Sequence, residues 1–132
     1  MFEITEPVPK ERASLMNPVV LAFVGDAVYT LLVRTELAVN SAAKANELNK
    51  RAAEIVSAHG QGGALERMLP LLTEEEDAVY RRGRNAKKTT RSKNASVADY
   101  VRSTGFEALL GYLYLTGQTE RIRELFAPKE DV

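Results

Sequence analysis

Two carboxylates stand alone in long apolar runs, and they are the residues of this sequence best suited to do chemistry. Asp26 interrupts the run from Pro18 to Val33, and Glu107 interrupts the run from Gly105 to Leu115. An acid among apolar side chains loses hydration, which is costly unless a cation or a basic partner compensates it. A metal ion held between two helices would compensate both acids at once.

Mg²⁺ suits this acid pair, with Mn²⁺ as a substitute. Such ions are usually held by one or two carboxylates, with waters and phosphate oxygens completing the ligand set. Small residues on the same helix faces, Ala22 beside Asp26 and Gly111 beside Glu107, leave room for a ligand. The alternative is a structural pair of buried acids, each accepting hydrogen bonds from a backbone N–H, an arginine or a hydroxyl. The spacing alone leaves both interpretations open.

A basic segment, residues 81–93, is the second feature that indicates a function. It holds seven Lys and Arg residues and no acid, although the whole chain carries 18 basic and 18 acidic residues. Its guanidinium, ammonium, hydroxyl and amide groups are typical donors to phosphate oxygens, and it has little aromatic interleaving for base stacking. We therefore expect it to bind the backbone of a nucleic-acid duplex through Arg81, Arg82, Arg84, Asn85, Lys87, Lys88, Thr89, Arg91 and Lys93. The alternative is an ordinary solvated loop.

The composition favours one domain in a reducing compartment. The chain has 132 residues, 45% of them hydrophobic, and no Cys, so a core is expected without disulfides. The first residues lack the positive region of a signal peptide, and the Pro18–Val33 run is short for a membrane span. We expect a single domain over residues 1–132, in the cytoplasm and without a membrane partner.

Helical spacing and helix caps recur along the chain without sustained strand alternation, which predicts an all-α protein. Asn17 and Pro18 are typical of an N-cap and a first helical residue, and the helix that they begin should run to about Ala38. This helix is apolar on nearly every side and therefore needs cover on several faces. A second subunit would provide part of that cover.

The remaining helices are predicted from their caps and breaks. Ser41 is expected to cap a helix that ends near Ala58, Thr73 to open a capping box, and Ser96 to cap a helix that ends near Leu115. Short helices are expected over 64–68 and 120–126. Residues 83–95 are polar and basic, and we expect them to form a loop.

The order and spacing of these motifs resemble the ribonuclease III family. Residues 21–29, Leu-Ala-Phe-Val-Gly-Asp-Ala-Val-Tyr, are similar to its signature helix, and residues 106–115 are similar to its second catalytic helix. Residues 81–87 and 100–104, together with residues 50–52, residues 56–58 and Gln61, are similar to the compact branch called Mini-ribonuclease III. The resemblance covers the chain from about Asn17 to Phe126.

The resemblance implies an all-α endonuclease domain that forms a homodimer, with the signature helices packed across the dimer and double-stranded RNA in a valley. Asp26 and Glu107 would be the catalytic residues and the ligands of Mg²⁺ or Mn²⁺, which activates water for attack on a phosphodiester. Products would carry 5′-phosphate and 3′-hydroxyl ends. The implied substrate is double-stranded precursor of large-subunit (23S) ribosomal RNA, with a ribosomal protein as an accessory partner.

Two differences from the longer enzymes of this family leave an alternative interpretation of the function open. Those enzymes carry further carboxylates at positions that correspond to Ala22 and Thr104, and they also carry a separate domain that binds double-stranded RNA. With only six residues after Phe126, we expect that domain to be absent and the basic segment to supply RNA affinity. The rival is a non-catalytic protein that binds double-stranded RNA with an idle acid pair. A third alternative is a helical partner-binding protein whose basic segment is incidental.

Overall fold

Helices supply the regular structure of the protein in the part of the chain that the computed structural model describes, residues 6–86 and 96–126. This confirms the predicted all-α class. The described residues form seven α-helices: α1 (Lys10–Ser14), α2 (Pro18–Asn40), α3 (Ala45–Val56), α4 (Gly62–Met68), α5 (Glu74–Arg84), α6 (Val97–Leu115) and α7 (Thr119–Phe126). A 3₁₀ turn, Leu69–Leu71, lies between α4 and α5.

Side-chain caps begin the three helices that carry the predicted functional residues. The Asn17 side chain accepts a hydrogen bond from the Val19 N–H at 2.8 Å at the start of α2. Thr73 and Glu76 form a reciprocal capping box at the start of α5, and the Ser96 side chain caps α6. Each cap satisfies an N–H that a helix end would otherwise leave unpaired, so these three predictions are confirmed.

The prediction for α3 was wrong at its N-terminus. Ser41 does not cap α3; it follows α2 in an extended conformation, and α3 begins four residues later at Ala45. The Ser41 hydroxyl instead accepts a hydrogen bond from the Ala43 N–H at 3.1 Å. Serine bonded to the backbone two residues ahead stabilises a turn, which competes with helix formation at the same place.

The predicted loop also begins later than expected, because α5 continues through Gly83 to Arg84. A Cβ at Gly83 would lie 2.7 Å from the Ala108 Cβ and 2.9 Å from the Gly105 Cα. The glycine is therefore required for close packing of α5 on α6, and it does not end the helix. Residues 87–95 of the predicted loop lie outside the described residues.

The centre of the core is the packing of α2 on α6, which α7 and α5 complete. The Phe106 ring of α6 packs edge to face against Tyr29 of α2 and Phe126 of α7, with ring centroids 4.9 and 5.0 Å apart. Both geometries are favourable for aromatic pairs. This aromatic row joins α2 and α7 to α6.

Arg121 joins α7 to the start of α5. Its guanidinium donates to both carboxylate oxygens of Glu76 at 2.7 Å and to the Leu71 carbonyl at 2.8 Å. The Glu76 side chain is buried, and its hydrogen bonds with Arg121 lower the pKa of its carboxyl group. A paired and fully bonded buried acid is far less costly than an isolated one, so the contact stabilises this corner of the fold.

α2 is longer than the apolar run suggested. Its 23 residues make it the one helix in the described part that is long and apolar enough to cross a membrane by length and composition alone. Core helices meet the same criterion, and α2 packs against α6, α3 and α5. We interpret α2 as the central core helix.

One apolar face of α2 remains uncovered by the described chain. Val20, Phe23, Ala27 and Leu31 recur at helical spacing on this face, and the Phe23 side chain is 80% exposed. Leu15, just before α2, is also 84% exposed. An exposed phenylalanine in a row of apolar side chains is typical of an interaction surface.

Candidate active site

Two glycines bring the helices of the predicted acid pair into main-chain contact. A Cβ on Gly25 of α2 would lie 1.8 Å from the Glu107 carbonyl oxygen, and a Cβ on Gly111 of α6 would lie 1.9 Å from the Leu21 carbonyl oxygen. Any residue larger than glycine would therefore force the helices apart. Leu21 meets Gly111 and Gly25 meets Glu107, so the two helices run antiparallel where they cross.

The crossing places the two acids in neighbouring positions. Asp26 directly follows Gly25, the residue that touches the main chain of Glu107. The Asp26 side chain is exposed in the described chain, whereas Glu107 is half-buried. The expectation that Asp26 loses its hydration within the chain was therefore wrong: Gly25 faces α6, and the next residue, Asp26, is exposed to solvent.

The small neighbours of the acids have a different role from the predicted one. Gly111 does not leave space for a ligand, because the Leu21 carbonyl occupies that position. Ala22 is buried on α2. Both residues therefore serve the close packing of the two helices, and the open side of the site is the solvent side of Asp26.

No third carboxylate joins the pair in the described part of the chain, which contains no cluster of three acidic, His or Cys residues able to hold a metal. Ala22 and Thr104, the positions where the sequence departs from the longer enzymes that it resembles, are both 2% exposed. The Thr104 hydroxyl is bonded to the Tyr100 carbonyl at 3.1 Å and is not directed to solvent. Two carboxylates per chain are thus the full acidic donor set among the described residues.

Gln61 is the polar residue of the site whose role the sequence did not reveal. It lies between α3 and α4, and its side-chain N–H group donates to the Glu107 Oε2 at 3.3 Å and to the Val56 carbonyl at 3.0 Å. The residue was visible only as part of the Mini-ribonuclease III resemblance. Its contact with Glu107 spans 46 positions of sequence, which no local pattern reports.

The turn that carries Gln61 is also attached to α6. The His59 Nδ1 lies 3.3 Å from the Asp99 carboxylate, which Arg102 also contacts at 2.8 Å. Arg102 and then His59 lower the pKa of Asp99 through these hydrogen bonds. His59 is highly exposed and is bonded to an acid outside the candidate site, so its contact orients the turn.

The beginning of the basic segment lies on α5, which packs on α6, the helix that carries Glu107. At the packing of Gly83 on Gly105, α5 approaches α6 two residues before Glu107. Arg81 pairs with Asp77 at 2.8 Å, and the Arg84 guanidinium lies 5.7 Å from the Tyr80 ring centroid. Asn85 is exposed at the end of α5. The other predicted RNA contacts, Lys87, Lys88, Thr89, Arg91 and Lys93, lie outside the described residues.

Arg82 makes bonds within the fold. Its guanidinium donates to the carbonyl oxygens of Ser14 and Met16, where α1 ends and the chain turns toward α2. Substitution of Arg82 would therefore alter the N-terminal packing as well as any contact with a phosphate. Arg84 and the lysines after it are cleaner probes of RNA affinity.

A cavity of about 250 Å³ lies elsewhere, between α2, α3, α4 and α7. Its lining includes Tyr29, Val33, Arg67 and Phe126, and neither Asp26 nor Glu107 contributes to it. Burial raises the pKa of the Tyr29 hydroxyl, and Arg67 partly offsets this. Asp26 is exposed at the surface of the described chain and is separate from this cavity, so it is accessible to a polymer.

Comparison with known proteins assigns the chain to a class. The Ribonuclease III domain model matches residues 19–118, a range that contains both acids, the crossing glycines and the basic segment. The chain belongs to the ribonuclease III family, whose members act on double-stranded RNA, and it is an endoribonuclease. This membership favours the enzyme over the two alternatives, a non-catalytic protein that binds double-stranded RNA and a helical protein that binds a protein partner.

Its relatives include several proteins named Mini-ribonuclease 3. The one from Brevibacillus brevis is 50% identical over 112 residues, which cover 85% of this chain and 84% of that protein. The one from a Thermoanaerobacter species is 45% identical over 124 residues, covering 94% and 87%. A crystal structure of a Fusobacterium nucleatum protein superposes with a TM-score of 0.75 at 28% identity, over 85% of this chain and 89% of that one. The resemblance to the compact branch is therefore confirmed.

Proposed function

We propose that this chain is a homodimeric, Mg²⁺-dependent endoribonuclease that cuts double-stranded regions of precursor large-subunit ribosomal RNA. Asp26 and Glu107 are its catalytic residues, and the products carry 5′-phosphate and 3′-hydroxyl ends. The observation that carries the proposal is the crossing at Gly25 and Gly111, where the residue before Asp26 contacts the main chain of Glu107. Family membership and the Mini-ribonuclease 3 relatives support it.

The donor chemistry of the acid pair fits a divalent metal ion. Asp26 and Glu107 provide hard carboxylate oxygens, one exposed and one half-buried, on a surface that water and phosphate can reach. Mg²⁺ is commonly bound by one or two carboxylates, with the rest of its ligands from water and substrate phosphate. When bound, such an ion lowers the pKa of water and stabilises negative charge on the phosphate and the leaving oxygen.

The protein side chains then have distinct tasks. Asp26, on the solvent side of α2, reaches the RNA backbone, and Glu107 is held in place from the protein side by Gln61. The basic segment, which begins on α5, provides positive charge for the phosphates of the duplex. Through Gly83 and Gly105, α5 packs on α6, the helix that carries Glu107.

The uncovered face of α2 supports a homodimer. Val20, Phe23, Ala27 and Leu31 form an apolar row on the same helix as Asp26, and nothing in the described chain covers it. A second copy with the same row would bury it symmetrically. Such a dimer would set two acid pairs along one duplex and would cover α2 on the side that the single chain leaves open.

Phe23→Asp is expected to convert the dimer into a monomer at micromolar concentration and to abolish cleavage, because it places a charge in the centre of the apolar row. Light scattering gives the mass, and a duplex-cleavage assay gives the activity. Val39→Asp is the matched control: Val39 is 75% exposed on the same helix, but it lies about 160° around the axis from Phe23. A Phe23→Asp protein that remains dimeric would contradict the proposed interface.

Neutralising the basic segment is expected to weaken RNA binding and flatten its salt dependence. A triple Arg84→Ala, Lys87→Ala, Lys88→Ala variant should lower the slope of log K against log salt by about one unit per lost phosphate contact. Binding is measured in Ca²⁺ with duplex RNA at several salt concentrations.

The control removes the same charge from Lys10, Lys44 and Arg123, which lie at the starts of α1 and α3 and on α7. An unchanged slope in the test variant, or an equal loss in the control, would place the phosphate contacts elsewhere.

A further inference from the structure

A buried and only partly satisfied amide lies behind the acid pair. Gln61 is 2% exposed, and its Oε1 is the one buried side-chain oxygen or nitrogen without a hydrogen-bond partner in the described part of the chain. An unpaired buried carbonyl destabilises a fold, and such groups in folded proteins generally have a reason beyond stability. A methionine or leucine would fill this volume without that cost.

The neighbours of Gln61 fix the orientation of its amide. The NH₂ group faces two acceptors, the Val56 carbonyl and the Glu107 carboxylate. With the amide reversed, Oε1 would face both of these oxygens and no donor would be available. The side chain therefore gives up a bond at Oε1 to keep a donor on Glu107.

The backbone around Gln61 is also fixed. The Gly60 N–H donates to the Ser57 hydroxyl at 3.0 Å, and the Gln61 N–H donates to the Ser57 carbonyl at 3.1 Å. A Cβ on Gly60 would lie 2.0 Å from the Glu54 carbonyl oxygen, so the turn packs tightly on the end of α3. A tight turn of this kind presents the amide to Glu107 in one position.

We propose that Gln61 is a positioning residue that orients the Glu107 carboxylate for metal binding. Its donor fixes the position of Oε2 and so limits the rotation of the Glu107 carboxylate. Groups that orient a metal ligand from behind typically change metal affinity or activity by about 10- to 100-fold when they are removed. The inference rests on the proposed metal-dependent function and adds a residue to it.

The test separates positioning from folding. Gln61→Met keeps the volume and removes the donor to Glu107, the donor to the Val56 carbonyl and the unpaired oxygen. Loss of the unpaired oxygen offsets loss of the Val56 bond, so the melting temperature should fall by no more than about 5 °C. The affinity of the RNA-free protein for Mn²⁺ should fall by about 10-fold or more. This affinity is measured from the decrease of the EPR signal of free Mn²⁺. Cleavage at low Mg²⁺ should fall, and higher Mg²⁺ should recover part of it, while duplex binding in Ca²⁺ stays unchanged.

Gln118→Met is the matched control. Gln118 is a half-buried glutamine whose amide donates to Thr116 at 2.8 Å, beyond the end of α6 and about three turns from Glu107. Its substitution should leave Mn²⁺ affinity and cleavage as in the wild type. Gln61→Leu provides a second test variant with the same expected result if Gln61→Met folds poorly.

The possible results distinguish the inference from the function beneath it. If the wild-type protein binds Mn²⁺ and cuts duplex RNA, but Gln61→Met binds Mn²⁺ with equal affinity, the positioning role is overturned and the proposed function is not. Parallel losses of melting temperature, Mn²⁺ binding and RNA binding in both Gln61 variants would also overturn it, because they indicate a structural role. Wild-type protein that neither binds Mn²⁺ nor cuts RNA would remove the proposed function together with the inference.

Discussion

Asp26→Asn is expected to lower the rate of duplex cleavage by on the order of 1,000-fold, a loss of about 4 kcal/mol of transition-state stabilisation. The amide keeps the size of the side chain but removes the charge that holds a divalent ion. Asp26 is exposed, and the bond that it accepts from the Thr30 hydroxyl is to its main-chain carbonyl, which Asn keeps, so the melting temperature should not change. Glu107→Gln should have a similar effect on the rate. The assay uses a labelled RNA duplex with and without Mg²⁺, beside the single strand and a DNA duplex.

Glu36→Gln is the matched control for Asp26→Asn. Glu36 is a carboxylate on the same helix, bonded to Asn40 at 2.7 Å and remote from the crossing glycines. Its substitution should leave the rate as in the wild type. Near-normal turnover by Asp26→Asn would contradict the site assignment. Mg²⁺-dependent RNA binding by the wild type without any cutting would favour the alternative, a non-catalytic protein that binds double-stranded RNA.

Gly25→Ala is expected to destabilise the fold by about 3 kcal/mol or more, which is at the upper end of the cost of overpacking. The added methyl would overlap the Glu107 carbonyl oxygen at 1.8 Å, so α2 and α6 must separate. Because this contact sets the spacing of the helices that carry Asp26 and Glu107, the proposed site predicts that the folded fraction also cuts RNA about 100-fold more slowly, the cost of a displacement of about 1 Å at a catalytic site. Denaturant unfolding measures the first effect and single-turnover cleavage the second.

Gly63→Ala makes the same chemical change at an open position. A Cβ there would have only an ordinary contact, 3.5 Å from the Arg67 guanidinium. The free energy of unfolding should change by less than about 1 kcal/mol, since alanine is a better helix residue than glycine. If Gly25→Ala were as stable and as active as Gly63→Ala, the main-chain contact would not set the geometry of the acid pair.

The helices were largely predictable from the sequence because their ends carry local chemical signals. Asn17, Thr73 and Ser96 each cap a helix with their own side chain, and those interactions depend only on residues two or three positions away. Ser41 misled the same argument, because its hydroxyl is equally able to stabilise the turn between helices. Gly83 appeared to end a helix, but its role depends on a contact with α6.

The acid pair was predictable as two residues on two helices, but its environment was not. An apolar run shows that a helix has several apolar faces, not which of them packs within the chain. Asp26 was therefore expected to be buried and is exposed beside Phe23. The role of Gln61 could not be predicted for a related reason, since its contact with Glu107 exists only after α3, α4 and α6 have packed.

The crossing of α2 and α6 has a consequence for how this protein tolerates change. Because main-chain atoms touch at Gly25 and Gly111, the separation of α2 and α6 at this point is set by the backbone and not by the volumes of core side chains. Substitutions at buried positions away from the crossing, such as Ile122, would alter the melting temperature more than this separation. Thermostabilising redesign therefore has freedom in most of the interior, while the two glycines must be left alone.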